Sequence, residues 1–540
     1  MVTGNYHFVD KTMMIADFCD RVGVVFIFAR PRRFGKSINL SMLDYYFNIE
    51  YKGDDTFNDL KVESCEHCRQ YKNRFPVIRL NLSGIRSASA ADALEGLVKV
   101  IGDLAFDVED KILGRIDDEV VFELLDSFKS RVAPRAEVEG AVQWMCGLLE
   151  KAYGEKVVVL VDEYDQCIHN IRDKAVLDEV MGVMTPFMQQ SFKTNDHIRL
   201  GVVTGVMPLL QTGMTSEFNN PMVCDMLVKD GDEYFGFTES EVMQLLNETG
   251  TDSEKLNEIR EWYDGYRFGD ADVYNPFSVI QYLNNGCKVS DYWNKTSSGG
   301  LSAELISRMD VVPMNNLKGL DEDRGSFLES KIRSRILYTD AISPDVEPSV
   351  VYSYLAMAGY LKVVDTGKMD DDEPVYRVTM VNREVSKAFD TLVKRASELA
   401  REAPVMLNRD IYSLDPESIR RDMVVLLSGR KIDKGWNHDR YKEFFGGQLD
   451  SQWLHARDEI PRGIGICDIF VPSIDGRPAV IFEFKTSSTR DPKDLSMEAR
   501  NDIRRKGYSS EPLEGDVIEI AVGIRVKDVH VRTELRRGRP

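Results

Sequence analysis

The apolar positions of this chain keep two rhythms. Compact apolar runs occur at Val24–Ala29, Val157–Val161 and Ile198–Gly205, and Phe75–Gly84 adds another with Pro76 near its start. Such short runs, rich in β-branched residues, predict strands. An uninterrupted one such as Val157–Val161 predicts a strand covered on both faces of a parallel sheet. Between them the spacing lengthens to three or four residues, as in Leu94, Leu97, Val98 and Ile101, or Val142, Met145, Leu148 and Leu149, which predicts helices. Strands alternating with helices over residues 1–235 predict an α/β fold with a parallel sheet.

The rhythm changes twice further on. Residues 236–430 predict a helical, aromatic middle region, closing on a small winged-helix-like hairpin at Tyr360–Val364 and Val375–Val381. Asp321–Ser326 predicts a loop within it. Residues 431–540 return to strands at Cys467–Pro472, Ala479–Phe484 and Val517–Val522, predicting a second α/β domain. A division into 1–235, 236–430 and 431–540 is expected because 540 residues exceed what one core holds.

Chemistry enters where Val24–Ala29 runs into Arg30-Pro31-Arg32-Arg33-Phe34-Gly35-Lys36-Ser37 and a helical pattern follows through Ile38, Leu40, Met42, Leu43 and Tyr46. Strand, tight loop, Gly-Lys-Ser and helix make a phosphate cradle. Backbone N–H groups and the helix N-terminus face a polyphosphate, the lysine reaches its terminal phosphates and the serine hydroxyl ligates magnesium. Arg33, Phe34, Gly35, Lys36 and Ser37 are the expected nucleotide contacts, and Ser37 is also an expected metal ligand. Arg30 stands where GxxxxGK[ST] normally has its first glycine, which makes the loop basic and stiff.

Val157–Val161 ends in Asp162-Glu163. An acidic pair at the carboxyl end of a buried strand suits an ATPase: Asp162 holds magnesium and Glu163 polarises the attacking water. A solvated strand end carries the same residues, so the pair gains meaning from following the Lys36-Ser37 loop in the order a P-loop sheet requires. Thr204 closes the next strand, either near the γ-phosphate or satisfying its own turn. ATP and Mg2+ are the expected cofactors.

Taken together, Tyr6-His7-Phe8-Val9-Asp10-Lys11-Thr12, the Arg30–Ser37 loop and Leu160-Val161-Asp162-Glu163-Tyr164-Asp165 resemble the predicted AAA-ATPase-like family of prokaryotes. Thr204-Gly205-Val206, Phe235-Gly236-Phe237-Thr238, Trp262–Phe268 and Tyr274-Asn275-Pro276-Phe277-Ser278 strengthen the likeness, which covers about the first 300 residues. The resemblance implies that Arg30 belongs to the normal loop of that family. It also implies a C-terminal PD-(D/E)XK nuclease module with a restriction-endonuclease-like α/β fold. The rings of Trp262, Tyr263, Tyr266 and Phe268 read first as packing for a lid or hinge and second as a stacking surface for bases.

The C-terminal residues allow that module to be weighed separately. Cys467–Pro472 and Ala479–Phe484 are joined by a turn-rich connector of hairpin length. Alternation puts Glu483 and Lys485 on one face, and the hairpin can bring Asp468 to it. Asp468 and Glu483 are then expected magnesium ligands, and Lys485 the group that orients or activates water. A surface hairpin has the same spacing. In the family pattern a Glu leads, for which Glu459 or Asp458 is the candidate. Two departures stand out: Gly465-Ile466 where the family often has Gly-Arg, and Asp502 where a Gln is frequent. Arg500, Arg504, Arg505 and Lys506 form either a phosphate-gripping helical face or a solvated one.

The net charge of −20 disfavours long-range attraction to a polyanion, yet residues 431–540 hold 20 Lys and Arg against 19 Asp and Glu. A nucleic-acid surface is therefore permitted there but not demanded; a nucleic-acid partner, DNA before RNA, is what the implied C-terminal nuclease module brings, and a homo-oligomer is compatible with the residues. No apolar run is long enough to span a membrane, and the N-terminus lacks a basic-then-apolar leader pattern, so the expectation is cytoplasmic. Cys65 and Cys68 have metal-like spacing without a second pair and read as reduced thiols. None of the seven histidines sits in a recognisable nucleophile motif. The reading is an ATP-hydrolysing protein whose nucleotide state gates a magnesium-dependent nuclease. The alternative is a signalling or scaffold ATPase whose C-terminal module binds nucleic acid or protein without cutting.

Overall fold

A computed structural model of the chain describes residues 7–537 apart from 86–87, 169–170, 172–173, 208–220, 294–301, 303–304, 307–316, 318, 321–325, 335, 337–339, 341–345, 403–406, 429, 431, 433–435, 452–455, 464, 474–476 and 509–514. Of residues 395, 397–402, 408–409, 450–451 and 458–459 it describes the backbone alone. The expected loop Asp321–Ser326 therefore lies outside the described residues except for Ser326. The chain divides into two compact units, Met1–Leu305 with Gly319–Val393, and Ile306–Lys318 with Lys394–Pro540.

In the first unit, β1 (Val24–Ala29), β2 (Val77–Asn81), β3 (Val157–Asp162), β4 (Ile198–Gly205) and β5 (Pro221–Cys224) form one parallel sheet in the order β2-β3-β4-β1-β5. Strands β3 and β4 are buried at every position, as their unbroken runs require. Long helices supply the crossovers, among them Lys36–Phe47, Ala90–Ile112, Arg135–Tyr153 and Lys174–Phe192. Because β4 lies between β1 and β3, the carboxyl ends of these three strands stand side by side.

The same unit continues through helices Glu239–Glu248, Lys255–Tyr263 and Pro276–Asn284. A reciprocal capping box, Thr238 with Glu241, starts the first, and Asn275 with Pro276 starts the last. Between the last two lies a short antiparallel hairpin, β6 (Tyr266–Phe268) and β7 (Ala271–Val273), absent from the expected elements because three residues carry no periodicity. Tyr263, Tyr266 and Phe268 are buried, which favours packing over base stacking. β8 (Leu328–Lys331), helix Pro348–Met357, β9 (Leu361–Asp370) and β10 (Glu373–Met380) follow, with an antiparallel sheet ordered β8-β10-β9, so a hairpin stands at the expected place and is longer than expected. No compact-unit border falls at 235, because the phosphate loop is packed into this region: the Phe34 ring meets Tyr266 at 4.8 Å and Phe268 at 5.2 Å.

The second unit holds β11 (Arg457–Arg462), β12 (Gly465–Val471), β13 (Ala479–Thr486), β14 (Val517–Arg525) and β15 (Asp528–Arg536), adjacent in that order. All neighbours are antiparallel except β13 and β14, which run parallel across the crossover helix Pro492–Lys506. The expected border near 430 is displaced toward the N-terminus. Ile419, Met423 and Leu427 of helix Pro416–Ser428 share one core with Ile469, Phe482 and Ile520, so that helix belongs to the C-terminal sheet. Cys65 and Cys68, expected as thiols, are joined as a disulfide, their Cα atoms brought to 5.4 Å by successive 3-10 turns. Among the described residues no helix is long and apolar enough to cross a membrane.

Candidate functional site

The loop after β1 alternates backbone handedness: Arg33 (φ 72°) and Gly35 (φ 79°) are left-handed. Such alternation turns successive N–H groups inward and makes an anion nest. Lys36 opens helix Lys36–Phe47 and is buried, its Nζ donating to the carbonyls of Arg30 and Pro31 at 3.1 Å each. Burial pulls its pKa below the ordinary value, and the charges of Glu163, Asp165 and Asp162 oppose that shift. These three carboxylates come from the end of β3, so the structure brings the two predicted motifs together.

Asp162 and Thr204 are both buried, and Thr204 Oγ1 donates to Asp162 Oδ1 at 2.6 Å. Glu163 follows with φ 56°, a left-handed bend that turns the chain off the strand. Beyond it Asp165 Oδ2 accepts the N–H groups of Val206 and Met207 at 2.8 Å, tying the acidic segment to the end of β4. Gly205 has to be glycine at that junction, since a Cβ there would stand 2.5 Å from the Tyr164 ring.

Arg33, Phe34, Gly35, Lys36, Ser37 and Glu163 line a cavity of about 720 Å³. Phe8, Val9, Lys11, Phe237, Phe277 and Ile280 complete its lining. Asp162 and Thr204 are not among the lining residues. The Arg33 guanidinium lies over the Phe277 ring at 4.4 Å. Arg30 is wholly buried: its Nη1 donates to Cys224 O at 2.6 Å and Ala29 O at 3.0 Å, and its guanidinium lies 4.7 Å from the Phe268 ring. Burial brings its pKa down to about 10. The sequence flagged Gly-Lys-Ser and Asp-Glu, whereas Phe277, about 240 residues further along, stood out only within the Tyr274–Ser278 motif and was given no place at the site.

In the second unit Glu483 is buried on β13, with Oε1 held by Lys485 at 3.3 Å and Lys506 at 3.2 Å. Its Oε2 is buried without a hydrogen-bond partner. Burial raises the Glu483 pKa, the Asp468 charge raises it further, and the two lysines oppose. Asp468 Oδ2 accepts the Phe484 N–H at 2.7 Å, and Oδ1 lies 3.2 Å from His438 Nε2. That contact raises the His438 pKa against burial. Lys485 is also 2.9 Å from Asp502; burial lowers its pKa, but Asp502 and Glu483 prevail and raise it. Asp468 and Glu483 thus stand on paired strands, with Lys485 on Glu483, and His438 reaches Asp468 without any local spacing to announce it.

Other expectations fare differently. Asp458 and Glu459 lie in β11, but their side chains fall outside the described residues. The basic helical face is spent internally, with Arg500 and Arg504 on Glu534 at 3.0 and 2.8 Å and Arg505 on Asp502 at 2.8 Å. His530 Nδ1 does meet a serine, Ser496 Oγ at 2.8 Å, but that serine is fully buried and also bonded to Lys493 O and Arg532 Nε, so it is no nucleophile. Among the described residues no group of three or more His, Cys, Asp or Glu side chains is arranged to hold a metal. Magnesium is commonly held by one or two carboxylates completed by water and phosphate. The orphaned Glu483 Oε2 beside Asp468 fits that donor set.

Comparison with known proteins places the first motif in a family context. The model of the Predicted AAA-ATPase family matches residues 1–215. An uncharacterized protein in the vnfD 5' region of Azotobacter chroococcum mcd 1 is 25% identical over 393 residues, covering 72% of this chain and 66% of its own length. Among solved structures, a Walker-type ATPase of Pyrococcus abyssi aligns over 70% of this chain and 94% of its own, at 13% identity and a TM-score of 0.37. The ORC1 protein of Aeropyrum pernix, solved in complex with DNA, aligns over 74% and 95% at 10% identity and a TM-score of 0.26. Scores this low do not establish a shared overall fold.

Proposed function

We propose that the first unit binds and hydrolyses ATP with Mg2+, and that the C-terminal unit is a Mg2+-dependent PD-(D/E)XK phosphodiesterase acting on nucleic acid, DNA before RNA. The observation that carries the ATPase reading is the convergence of Lys36-Ser37, Asp162-Glu163 and Thr204 at three adjacent strand ends. In this reading the Arg33–Ser37 backbone receives the phosphates and Lys36 leaves its loop carbonyls for the terminal ones. Ser37 and Asp162 would hold the magnesium ion, which offsets phosphate charge when bound. Glu163, lining the cavity, takes up the proton of the attacking water. Phe8 and Phe277 wall the space left for the base.

The phosphodiesterase reading is supported by Glu483 and Lys485 beside Asp468 on β12 and β13, and by the element order helix, three antiparallel strands, helix, parallel strand. Asp468 and Glu483 would hold the metal, and Lys485 orients the water. Coupling of the two activities, a cytoplasmic setting and association with further copies of the chain belong to the same proposal. Nuclease activity indifferent to ATP and to Lys36→Ala removes the coupling.

A second reading, an ATPase whose C-terminal module binds without cutting, is favoured by Asp502, which engages Lys485, and by the neutralised Arg500 and Arg504. Two assays separate them. ATP turnover by wild type and Glu163→Gln, with and without DNA, tests the first unit. Plasmid nicking in Mg2+ or Mn2+, with Asp468→Ala and Glu483→Ala as controls, tests the second, and tight binding without nicking favours the binder.

A further inference from the structure

The cations at the end of helix Pro492–Lys506 do not share one fate. Three arginines are committed to Glu534 and Asp502, as described above. Lys506 turns toward Glu483 instead, its Nζ 3.2 Å from Oε1 and 2.8 Å from Tyr508 Oη. The Tyr508 hydroxyl in turn donates to the Ile466 carbonyl, so the ammonium is linked to the start of β12, just after the turn from β11.

That turn is shaped around this lysine. A Cβ on Gly463, which has φ 58°, would come within 2.2 Å of the Lys506 carbonyl oxygen. A Cβ on Gly465 would stand 2.9 Å from Lys506 Cδ. Both glycines thus leave room for the backbone and stem of one residue. Charge points the same way. Lys485 and Lys506 both approach Glu483 and Asp502, Lys506 standing 3.8 Å from the latter, while Asp468 is engaged by His438 and the Phe484 N–H. Lys506 thus brings an ammonium group up to the carboxylates that would hold the metal, while Glu483 Oε2 is left for the metal itself.

We propose that Lys506 is a catalytic residue of this site: its ammonium binds a non-bridging oxygen of the scissile phosphate, while Lys485, held by Asp502, serves the attacking water. The proposal rests on the phosphodiesterase reading above. In the step, the water oxygen bonds to phosphorus and the bond from phosphorus to the leaving oxygen breaks. The water gives up one proton and the leaving oxygen takes one, so no oxidant or further reactant is required. Lys506 keeps its proton throughout and stabilises the negative charge that gathers on the oxygen it touches.

The test uses the full chain with Mg2+ or Mn2+, a DNA duplex carrying one phosphorothioate of defined configuration and its all-oxygen twin. Lys506→Met is expected to lower kcat about 100-fold, as loss of one transition-state donor does, with an unchanged melting temperature. Lys506→Arg should recover part of the rate, and Arg490→Met, a cation paired with Glu498 away from Glu483, should cut like wild type. Wild type should be slowed by sulfur at the contacted oxygen, and the penalty should change in Lys506→Arg. Should Lys506→Met fail to fold, the sulfur penalty of Lys506→Arg decides, and an unchanged penalty overturns the proposal. Cleavage by folded Lys506→Met within about 2-fold of wild type also overturns it, leaving the phosphodiesterase reading intact. A wild type that cuts with neither metal overturns both.

Discussion

Thr204 Oγ1 and Asp162 Oδ1, 2.6 Å apart and both buried, tie the end of β4 to the end of β3. The bond fixes one carboxylate oxygen and leaves the other available. Thr204→Val keeps the shape and removes the donor, which should cost about 1–3 kcal/mol of stability. ATP turnover should fall at least about 10-fold, with nucleotide affinity changed much less, because the loop after β1 is untouched. Thermal melts, titration calorimetry and phosphate release check the three parts.

Lys36→Ala should abolish ATP binding, since it removes the charge that the β3 carboxylates face. Glu163→Gln should bind ATP and fail to hydrolyse it. Chelation of divalent metal should stop turnover in wild type, and equal turnover with and without chelator would contradict the roles given to Ser37 and Asp162.

Gly205→Ala should be one of the most damaging small substitutions in the sheet. The added methyl would lie 2.5 Å from Tyr164 and 2.6 Å from Asp165 Oδ1, so the acidic segment has to move. Overpacking of this kind costs about 1–3 kcal/mol, measurable by urea unfolding. Gly182, where an added Cβ meets nothing within 4 Å, is the control.

Glu384 gives the first unit a pH dependence. It is fully buried, accepting from Ser278 Oγ at 2.7 Å and the Trp293 N–H at 2.8 Å, and burial lifts its pKa from 4.5 to about 7 against those bonds. Between about 4.5 and 7 the folded chain keeps a proton that the unfolded chain has lost. Stability from this group is therefore complete below 4.5 and is lost as pH rises through about 7. The total is about 3 kcal/mol, and Glu384→Gln should flatten the slope in melts taken at pH 5 and pH 8.

The legible parts of this chain were those whose chemistry is local. β1, β3 and β4 are buried on both sides, so their apolar runs stand out, and Gly-Lys-Ser and Asp-Glu are contiguous. β11 and β15 were hidden because edge strands such as Asp528–Arg536 interleave charged residues with apolar ones. The border near 430 misled because helix Pro416–Ser428 shows its purpose only when Ile419, Met423 and Leu427 meet the sheet. His438 reaches Asp468 across 30 residues, and Lys506 differs from its neighbouring arginines only in which way its side chain leaves the helix.

Arg30 carries a wider consequence. Its side chain occupies space beneath the loop that the usual glycine would leave vacant, and bonds the loop to the end of β5. Swapping in glycine to match the commoner spelling would be no repair. It would open a void as large as a guanidinium and free the entrance of the loop from its neighbouring strand.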